Sequence, residues 1–210
     1  VKNIRNPIEL AYAVLKKSEH VFLIGKGAEE FAKQNEIAFE PDEYFFSEFR
    51  YKQLLKTKQS NETALDHSVD PDDRKFGTVG AVALDAKGNL AAGTSTGGMT
   101  NKKYGRVGDS PIIGAGTYCN NATAGISCTG WGEYYIREVA ANRMSSLIEL
   151  KKLSVTDAAK QVIEEIGKLG GDGGIIGLDK SGKVAMEFNT SGMYRGTVDQ
   201  NGKISIQIYK

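Results

Sequence analysis

The chain changes character between Gly77 and Thr78, and this change constrains its fold more than any other feature of the sequence. Only three of the 25 glycines lie in residues 1–77, and the other 22 lie in residues 78–210. The net charge changes sign at the same place, from −2 in the first part to +3 in the second. Two segments of such different composition predict two different architectures that meet at Gly77-Thr78.

The first part of the chain is predicted to be mainly helical. An early proline and apolar residues at helical spacing predict a helix over residues 7–18. A short buried strand is expected at residues 20–24, and a small helix near residues 28–34. Aromatic and leucine side chains on one face predict a further helix over residues 41–57. Residues 58–77 are polar and charged, which predicts a flexible, exposed linker and a site for chain cleavage.

The second part of the chain shows the pattern of β-structure. Residues 78–96 predict a strand–turn–strand hairpin around a turn at residues 86–89. Strands followed by helices and again by strands indicate a layered α+β or α/β fold rather than a βαβ repeat. The other expected elements are strands at residues 122–129, 173–179, 183–189 and 203–209, and helices near residues 133–149 and 155–168, the last with a capping box of Ser154 and Asp157.

The bulk composition excludes several classes of function. A net charge of +1 gives no general reason to expect nucleic acid or an anionic membrane as a partner. No apolar run approaches the roughly 20 residues that cross a bilayer. Cys119 and Cys128 are too few for a disulfide-rich domain and, with only two histidines, make a poor zinc site. We therefore expect reduced thiols, no metal ligand and a cytoplasmic location. Secretion stays open, because the chain begins at Val1 and its true N-terminus can lie upstream.

The strongest chemical signal is the Gly77–Thr78 bond. If this bond is cut, Thr78 becomes N-terminal, its hydroxyl can act as a nucleophile, and its own α-amine can act as the base. A free α-amine has a pKa of about 7.7–8.0, so much of it is neutral at physiological pH. Glycine before the threonine permits a strained backbone, so that the Thr78 hydroxyl can reach the Gly77 carbonyl and cleave the chain without a protease.

Five sequence blocks follow this junction in order. They read TVGAVALD with a following GN, TSTGG, GRVGDSP, SCTGWGE and, near the end of the chain, GMYR. Their order and spacing closely resemble the β-subunit of the plant-type asparaginase/isoaspartyl aminopeptidase family, which are N-terminal-nucleophile hydrolases. Upstream, VKNIRNPIELA, HVFLIGKGAEEFA and LDHS also resemble this family. The resemblance covers essentially the whole chain.

The resemblance implies a fold of the α+β class, the αββα four-layer sandwich of the N-terminal-nucleophile hydrolases, without its leading strands in this chain. Residues 1–77 would be the C-terminal part of an α subunit, and residues 78–210 the β subunit, both cut from one folded unit. The family's precursors extend further at the N-terminus. The resemblance implies no cofactor, apart from a structural sodium or potassium ion in that absent portion, and a homodimer of αβ units.

The resemblance also implies what individual residues do. Thr78 matches the nucleophile, and Gly77–Thr78 matches the autocleavage bond. Thr96 matches a threonine whose hydroxyl hydrogen-bonds to the nucleophile. Arg106 and Asp109 match the residues that recognise the aspartyl part of the substrate. Thr129 and Gly130 match the oxyanion hole, and Gly132 lies in the same substrate loop.

Physical chemistry fits these roles and leaves simpler alternatives open. Arg106 offers a bidentate fork for a carboxylate, and Asp109 can accept from an ammonium group, although the two could instead form a local surface ion pair. Thr129 and Gly130 can stabilise an oxyanion at a strand end, or form an ordinary turn. Trp131 either shapes leaving-group preference or covers the core.

The expected function is an autoproteolytically activated amidohydrolase. It would cleave L-asparagine to L-aspartate and ammonia, and hydrolyse β-aspartyl dipeptides, through a threonine acyl-enzyme. Its partners would be these small molecules, without nucleic acid or membrane. One alternative is an N-glycosyl-asparagine amidase, although that branch usually has aspartate where this chain has Gly77. Another is an uncleaved, non-catalytic relative that acts in binding or assembly.

Overall fold

A computed structural model describes residues 1–60 and 77–210 of the chain. The chain divides into two compact units, residues 1–63 and 64–210. The described part of the first unit is helical, and the described part of the second contains eight strands and three α-helices. The composition change seen in the sequence is therefore also a change of secondary structure.

Four helical segments make up the first unit. They are α1 (Pro7–Lys17), α2 (Gly25–Gln34), a 3₁₀ turn (Asp42–Phe45) and α3 (Glu48–Ser60). Pro7 occupies the first position of α1, where the fixed φ angle of proline suits the start of a helix. The small core of this unit contains Ile4, Leu10, Val14 and Ala32.

The strand predicted at residues 20–24 is wrong. Val21, Phe22 and Ile24 are exposed and lie in an irregular connection between α1 and α2. A strand needs a hydrogen-bonded neighbour, and residues 1–60 contain no strand that could provide one. The segment is non-helical, as its apolar run indicates, but such a run does not show whether a partner strand exists.

The helix predicted over residues 41–57 is broken. Phe46 and Ser47 separate the 3₁₀ turn from α3, and the expected apolar face is largely exposed, at Tyr44, Phe45, Phe49, Tyr51 and Leu55. The α3 helix runs through Ser60, so the first three residues of the predicted linker are helical. The rest of that linker up to residue 76 lies outside the described residues. The α2 helix begins three residues earlier than predicted, at Gly25, whose φ is +57°.

The predicted hairpin opens the second unit. Strand β1 (Val79–Leu84) pairs antiparallel with β2 (Leu90–Ser95), from Val79 opposite Ser95 to Leu84 opposite Leu90. The Asp85 carboxylate closes the turn, since it accepts hydrogen bonds from the backbone N–H groups of Lys87 at 2.8 Å and Asn89 at 2.7 Å. This local capping explains why the hairpin could be predicted from sequence.

A four-stranded antiparallel sheet lies next along the chain. Its order is β3 (Thr117–Cys119), β4 (Ala124–Gly130), β5 (Gly173–Asp179) and β6 (Val184–Phe188). A separate hairpin joins β7 (Arg195–Val198) to β8 (Ile204–Gln207). The sequence did not predict β3 or β7, because three or four residues are too few to show an alternating pattern.

Three helices connect β4 to β5. They are α4 (Gly132–Glu138), α5 (Ala140–Lys151) and α6 (Val155–Lys168). One continuous helix was predicted for α4 and α5, but Val139 interrupts it with a left-handed backbone at φ +50°. The α6 prediction is confirmed, and the Ser154 hydroxyl oxygen accepts from the Asp157 backbone N–H at 3.1 Å. The Asp157 carboxylate accepts from the Ser154 hydroxyl, so only half of a capping box forms.

The second unit is layered around the four-stranded sheet. Alternate side chains of β4, Ala124, Ile126 and Cys128, enter the core that also contains α5 and α6. Ser127 points the other way and shares a 2.6 Å hydrogen bond with Thr94 of the β1–β2 hairpin. Helices, sheet and hairpin thus form three layers in a mixed fold with antiparallel sheets. No helix among the described residues has the length and apolar character needed to cross a membrane.

Close contact between the hairpin and the sheet requires glycine at position 80. A Cβ atom on Gly80 would collide with Ser127. We expect Gly80→Ala to reduce the free energy of unfolding by about 1–3 kcal/mol, because the two layers must separate to admit the methyl group. Urea unfolding followed by circular dichroism measures this change. Adding Ser127→Gly should restore part of the loss, and a fully additive double variant would contradict the proposed collision.

Candidate functional site

One cleft of the second unit gathers most of the residues that the sequence singled out. It contains about 370 Å³ of empty space, open solvent included. Six of the eight predicted site residues line it: Gly77, Thr78, Thr96, Arg106, Asp109 and Gly130. Thr129 and Gly132 do not line the cleft; Thr129 directly precedes Gly130, and Gly132 follows it by two residues. The rest of the wall consists of Gly98, Met99, Gly108 and Ser110.

Strand pairing brings Thr78 and Thr96 together. Thr78 precedes β1 and Thr96 follows β2, where Val79 is paired with Ser95. One more step of this register places Thr78 opposite Thr96, and directly opposed residues have Cβ atoms about 4.5–5.5 Å apart. Thr78 is half-buried and Thr96 is exposed. The Thr96 hydroxyl oxygen accepts a hydrogen bond from the Gly98 N–H at 3.1 Å, so a loop amide holds it at the cleft wall.

Arg106 is held by a glutamate that the sequence did not single out. Its Nε donates to Glu133 Oε1 at 2.8 Å, and its Nη2 donates to Glu133 Oε2 at 2.6 Å. This hydrogen-bonded fork lowers the pKa of Glu133, and the Trp131 side chain contributes to the same shift. Glu133 directly follows Gly132 in the SCTGWGE block, which was the available signal. The bidentate geometry fixes the guanidinium plane beside the cleft.

Asp109 is a buried carboxylate with one free oxygen atom. Asp109 is only 5% exposed, and its Oδ2 has no hydrogen-bond partner among the described residues. Burial, with a smaller contribution from Glu133, raises the pKa of Asp109 to about 6, although a backbone hydrogen bond and Arg106 act to lower this pKa. A carboxylate in this state gains strongly from any cationic group that enters the cleft.

The loop that carries Asp109 is anchored through its backbone. The Asp109 carbonyl oxygen accepts hydrogen bonds from the Ile112 N–H at 2.8 Å and the Gly116 N–H at 3.1 Å. A Cβ atom on Gly116 would collide with the Asp109 and Ser110 backbone, so only glycine permits this closure. The anchored backbone keeps the carboxylate buried although it belongs to a long connection between β2 and β3.

Gly132 leaves room beside both charged residues. A Cβ atom at this position would lie 2.7 Å from Asp109 Oδ1 and 3.1 Å from Arg106 Nη2. Gly132 is buried at the start of α4, one residue before Glu133. Gly132 therefore adjoins both Arg106 and Asp109, although it does not line the cleft itself.

The end of β4 brings a narrow stretch of backbone to the cleft. Thr129 pairs with Gly174 of β5, and Gly130 pairs with Gly173. Gly130 has φ +139° and Gly173 has φ +143°, and a Cβ on either would strike the facing backbone. Thr129 lies on β4 two residues from Ser127, so its side chain points toward the hairpin layer. The half-buried Thr129 and Gly130 are thus placed beside the start of β1.

We predict that Asp109→Asn stabilises the protein at neutral pH. Because its folded pKa of about 6 exceeds the ordinary 3.8, ionisation is harder in the folded state. This residue's contribution is complete below pH 3.8 and is lost as the pH rises to 6. Neutral asparagine should therefore add roughly 2–3 kcal/mol at pH 7.5 and little at pH 4. Chemical denaturation at both pH values measures the difference, and equal effects at the two would contradict the assignment.

The chain is similar to known proteins over nearly its whole length. The family model described as Asparaginase matches residues 1–208. An isoaspartyl peptidase of Escherichia coli is 51% identical over 93% of this chain and 62% of its own length. An isoaspartyl peptidase of Salmonella typhimurium is 50% identical over 93% of this chain and 63% of its own. An isoaspartyl peptidase/L-asparaginase of Rattus norvegicus is 41% identical, over 99% and 61%. The chain thus spans less than two thirds of the length of these curated relatives.

Proposed function

The chain belongs to the asparaginase family, and on this premise we propose that it is an amidohydrolase acting on L-asparagine and on β-aspartyl dipeptides. The products would be L-aspartate with ammonia, or L-aspartate with the released amino acid. The observation that carries the proposal is the lining of the cleft by Thr78, Thr96, Arg106 and Asp109. The names of the relatives, isoaspartyl peptidase and isoaspartyl peptidase/L-asparaginase, support the same reaction.

The charged end of the cleft would bind the α-amino acid part of the substrate. Arg106 uses Nε and Nη2 for Glu133, which leaves Nη1 available for an α-carboxylate. The free Oδ2 of Asp109 would accept from the α-ammonium group. The opposite charges of the two residues match the opposite charges of the ligand, so that orientation is selected together with affinity.

Thr78 would supply the nucleophile after the Gly77–Thr78 bond is broken. In this maturation step the Thr78 Oγ attacks the Gly77 carbonyl carbon, the acyl group moves from nitrogen to oxygen, and water hydrolyses the resulting ester. The new α-amine then serves as the base. The half-burial of Thr78 at the cleft wall supports this role, because a nucleophile must be both accessible and held.

Hydrolysis would proceed in two steps at the same oxygen atom. The Thr78 Oγ forms a bond to the substrate's side-chain carbonyl carbon while its proton passes to the α-amine, and Thr129 with Gly130 stabilises the oxyanion. The carbon–nitrogen bond breaks and the amine leaves with that proton. Water then attacks the β-aspartyl ester, which releases L-aspartate and restores the Thr78 hydroxyl. Thr96, placed opposite Thr78 by the strand register, would orient this hydroxyl. No cofactor takes part in the proposed reaction.

The remaining features are proposed from family membership. We expect the three layers of the second unit to belong to an αββα four-layer sandwich, cut into subunits at residue 77, and the αβ units to pair as a homodimer. A structural sodium or potassium ion would lie outside the residues of this chain. The two free thiols, Cys119 and Cys128, are compatible with the expected cytoplasmic location.

Replacement of the nucleophile tests both proposed reactions. In the unchanged protein, intact-mass measurement should show fragments of 77 and 133 residues from the 210-residue chain. Thr78→Ala should leave a single chain and abolish the release of ammonia from L-asparagine, because the attacking oxygen is lost. Thr78→Ser keeps that oxygen and should retain measurable cleavage and hydrolysis.

Two outcomes would exclude the proposed chemistry. Cleavage and hydrolysis that both survive Thr78→Ala would remove the threonine from the mechanism. A correctly folded, uncleaved and inactive parent chain would favour the binding or assembly alternative. Turnover of N-acetylglucosaminyl-asparagine that exceeds turnover of L-asparagine would instead favour the glycosyl-asparagine amidase alternative.

Glu133 provides a separate test of substrate orientation. Glu133→Gln should raise KM for L-asparagine about tenfold with a smaller change in kcat, since the neutral amide cannot hold the guanidinium in a charged fork. Lys52 forms a comparable but exposed ion pair with Glu48, so Glu48→Gln is a suitable control and should leave KM unchanged. An unchanged KM in Glu133→Gln would show that Arg106 needs no such support.

A further inference from the structure

Thr94 of β2 joins three segments of the second unit through hydrogen bonds, and the reaction described so far gives it no role. Its hydroxyl shares a 2.6 Å hydrogen bond with the Ser127 hydroxyl of β4. It also donates to the Gly116 carbonyl oxygen, in the connection that precedes β3, at 3.2 Å. Because a threonine hydroxyl carries one hydrogen atom, the Ser127 hydroxyl is the donor to Thr94. The three groups thus form one ordered series of hydrogen bonds from β4 through the hairpin to Gly116.

The Thr94–Ser127 pair lies one strand repeat behind the residues of the candidate site. Side chains two residues apart on a strand point to the same face and are separated by about 7 Å. Thr94 comes two residues before Thr96, and Ser127 comes two residues before Thr129. The hydrogen bond therefore joins the hairpin to β4 directly behind the side chains that we assign to orienting the nucleophile and to binding the oxyanion.

Gly80 connects the nucleophile to the same contact. It is paired with Thr94 across the hairpin, and it follows Thr78 by two residues. A Cβ atom on Gly80 would collide with Ser127, so the β1 backbone lies against the Ser127 side chain. A change in the distance between Thr94 and Ser127 would therefore move Thr78 as well.

The opposite end of the hairpin has its own attachment to the sheet. There the Leu90 backbone N–H donates to Oδ1 of Asn121, in the turn between β3 and β4, at 2.8 Å. Leu90 begins β2, whereas Thr94 lies close to the end of that strand beside the cleft. The Leu90 contact fixes the turn end of the hairpin, and Thr94 provides the hydrogen bonds to the sheet at the cleft end.

The loop that carries Asp109 has hydrogen bonds that do not involve Thr94. The Gly116 carbonyl oxygen also accepts from the Cys128 N–H at 2.8 Å, and the Gly116 N–H donates to the Asp109 carbonyl oxygen at 3.1 Å. These backbone contacts remain when the Thr94 hydroxyl is removed. Its removal should therefore shift the hairpin relative to β4 while the Asp109 loop keeps its place.

We propose that Thr94 is a positioning residue, whose hydroxyl holds the hairpin that carries Thr78 at a fixed distance from the part of β4 that carries Thr129. It acts from behind the cleft and does not touch the substrate. Its effect on the rate follows from geometry, since a displacement of about 1 Å between reacting groups can cost about 100-fold. This proposal rests on the proposed function for the reaction of Thr78, whereas the contact itself does not depend on it.

Two variants of Thr94 and one control separate this role from stability alone. Thr94→Val keeps the shape of the side chain and removes the hydroxyl, whereas Thr94→Ser keeps the hydroxyl and removes the methyl group. The matched control is Thr123→Val. Thr123 shares a 2.6 Å hydrogen bond with the buried Ser145 hydroxyl, and it donates to the Asn120 carbonyl oxygen at 3.4 Å. The control therefore loses the same kind of hydroxyl pair, at a position that does not line the cleft.

The first measurement is the release of ammonia from L-asparagine, with rates referred to the concentration of cleaved chain. Thr94→Val should lower kcat about 10–100-fold and change KM less than about threefold, because the substrate's charged groups are still bound. Thr94→Ser and Thr123→Val should keep kcat within about threefold of the parent. Thr94→Val that stays uncleaved, while Thr94→Ser and Thr123→Val are cleaved, shows the same displacement at the maturation step. Equal losses in Thr94→Val and Thr123→Val, or a loss confined to KM, overturn the proposal.

The second measurement asks whether Thr94 acts through Ser127. Ser127→Ala removes the donor of the same hydrogen bond. A double variant of Thr94→Val and Ser127→Ala should lose little more kcat than the weaker of the two single variants, because each single change already breaks the bond. A double variant whose loss equals the product of the two single losses contradicts this connection.

Hydrogen exchange followed by mass spectrometry tests the contact without any substrate. The amides of β1 and β2 should exchange faster in Thr94→Val than in the parent, and Thr123→Val should leave their exchange unchanged. Unchanged exchange of the hairpin in Thr94→Val refutes the proposal. If the parent does not hydrolyse L-asparagine, the proposed function fails, and exchange still decides whether Thr94 holds the hairpin. If the parent is active and Thr94→Val keeps its kcat, the function stands and the role of Thr94 is refuted.

Discussion

The cleft depends on backbone segments that approach each other more closely than any residue with a side chain would permit. Gly80 lets the β1–β2 hairpin rest on Ser127 of the sheet, and this contact carries Thr78 and Thr96 to the cleft. Gly130 and Gly173 do the same where β4 meets β5. Each contact is short because glycine has no side chain to separate the facing backbone segments. The concentration of glycine after residue 77 is therefore a requirement for close packing between layers, as well as for tight turns.

Of the two charged residues that line the cleft, Arg106 has an ion-pair partner, whereas one carboxylate oxygen of Asp109 has no hydrogen-bond partner among the described residues. Arg106 is fully supported by the fork with Glu133, and this support fixes its plane. Asp109 lies within the field of both, and burial dominates over the attraction of Arg106. A buried carboxylate beside an arginine can therefore still attract a cation at one atom. This explains how a chain with a net charge of +1 can carry a site of strong local polarity.

Local signals explain which elements the sequence predicted. The β1–β2 hairpin, β5 and α6 have alternating or helical patterns bounded by their own turns and caps, and all are found where expected. The strand at residues 20–24 fails because strands depend on partners that a local pattern does not reveal. The break at Val139 is equally invisible, since valine gives no sign of a left-handed backbone.

In the candidate site, too, some residues could be recognised from sequence and others only from their contacts. Thr78, Thr96, Arg106 and Asp109 stand in sequence blocks that resemble a family, and all four line one cleft. Glu133 was not singled out, because its importance lies in its contact with Arg106 rather than in a motif.

Burial of Asp109 would join stability to the proposed function. A carboxylate enclosed with an unpaired oxygen is unfavourable in itself, and the same enclosure would strengthen its attraction for the ammonium group of the proposed substrate. Complete satisfaction by protein groups would remove the instability, but it would also remove the capacity to bind. Glu133 on α4 complements this arrangement, since it holds Arg106 beside the cleft through two hydrogen bonds while Asp109 keeps one oxygen without a partner among the described residues.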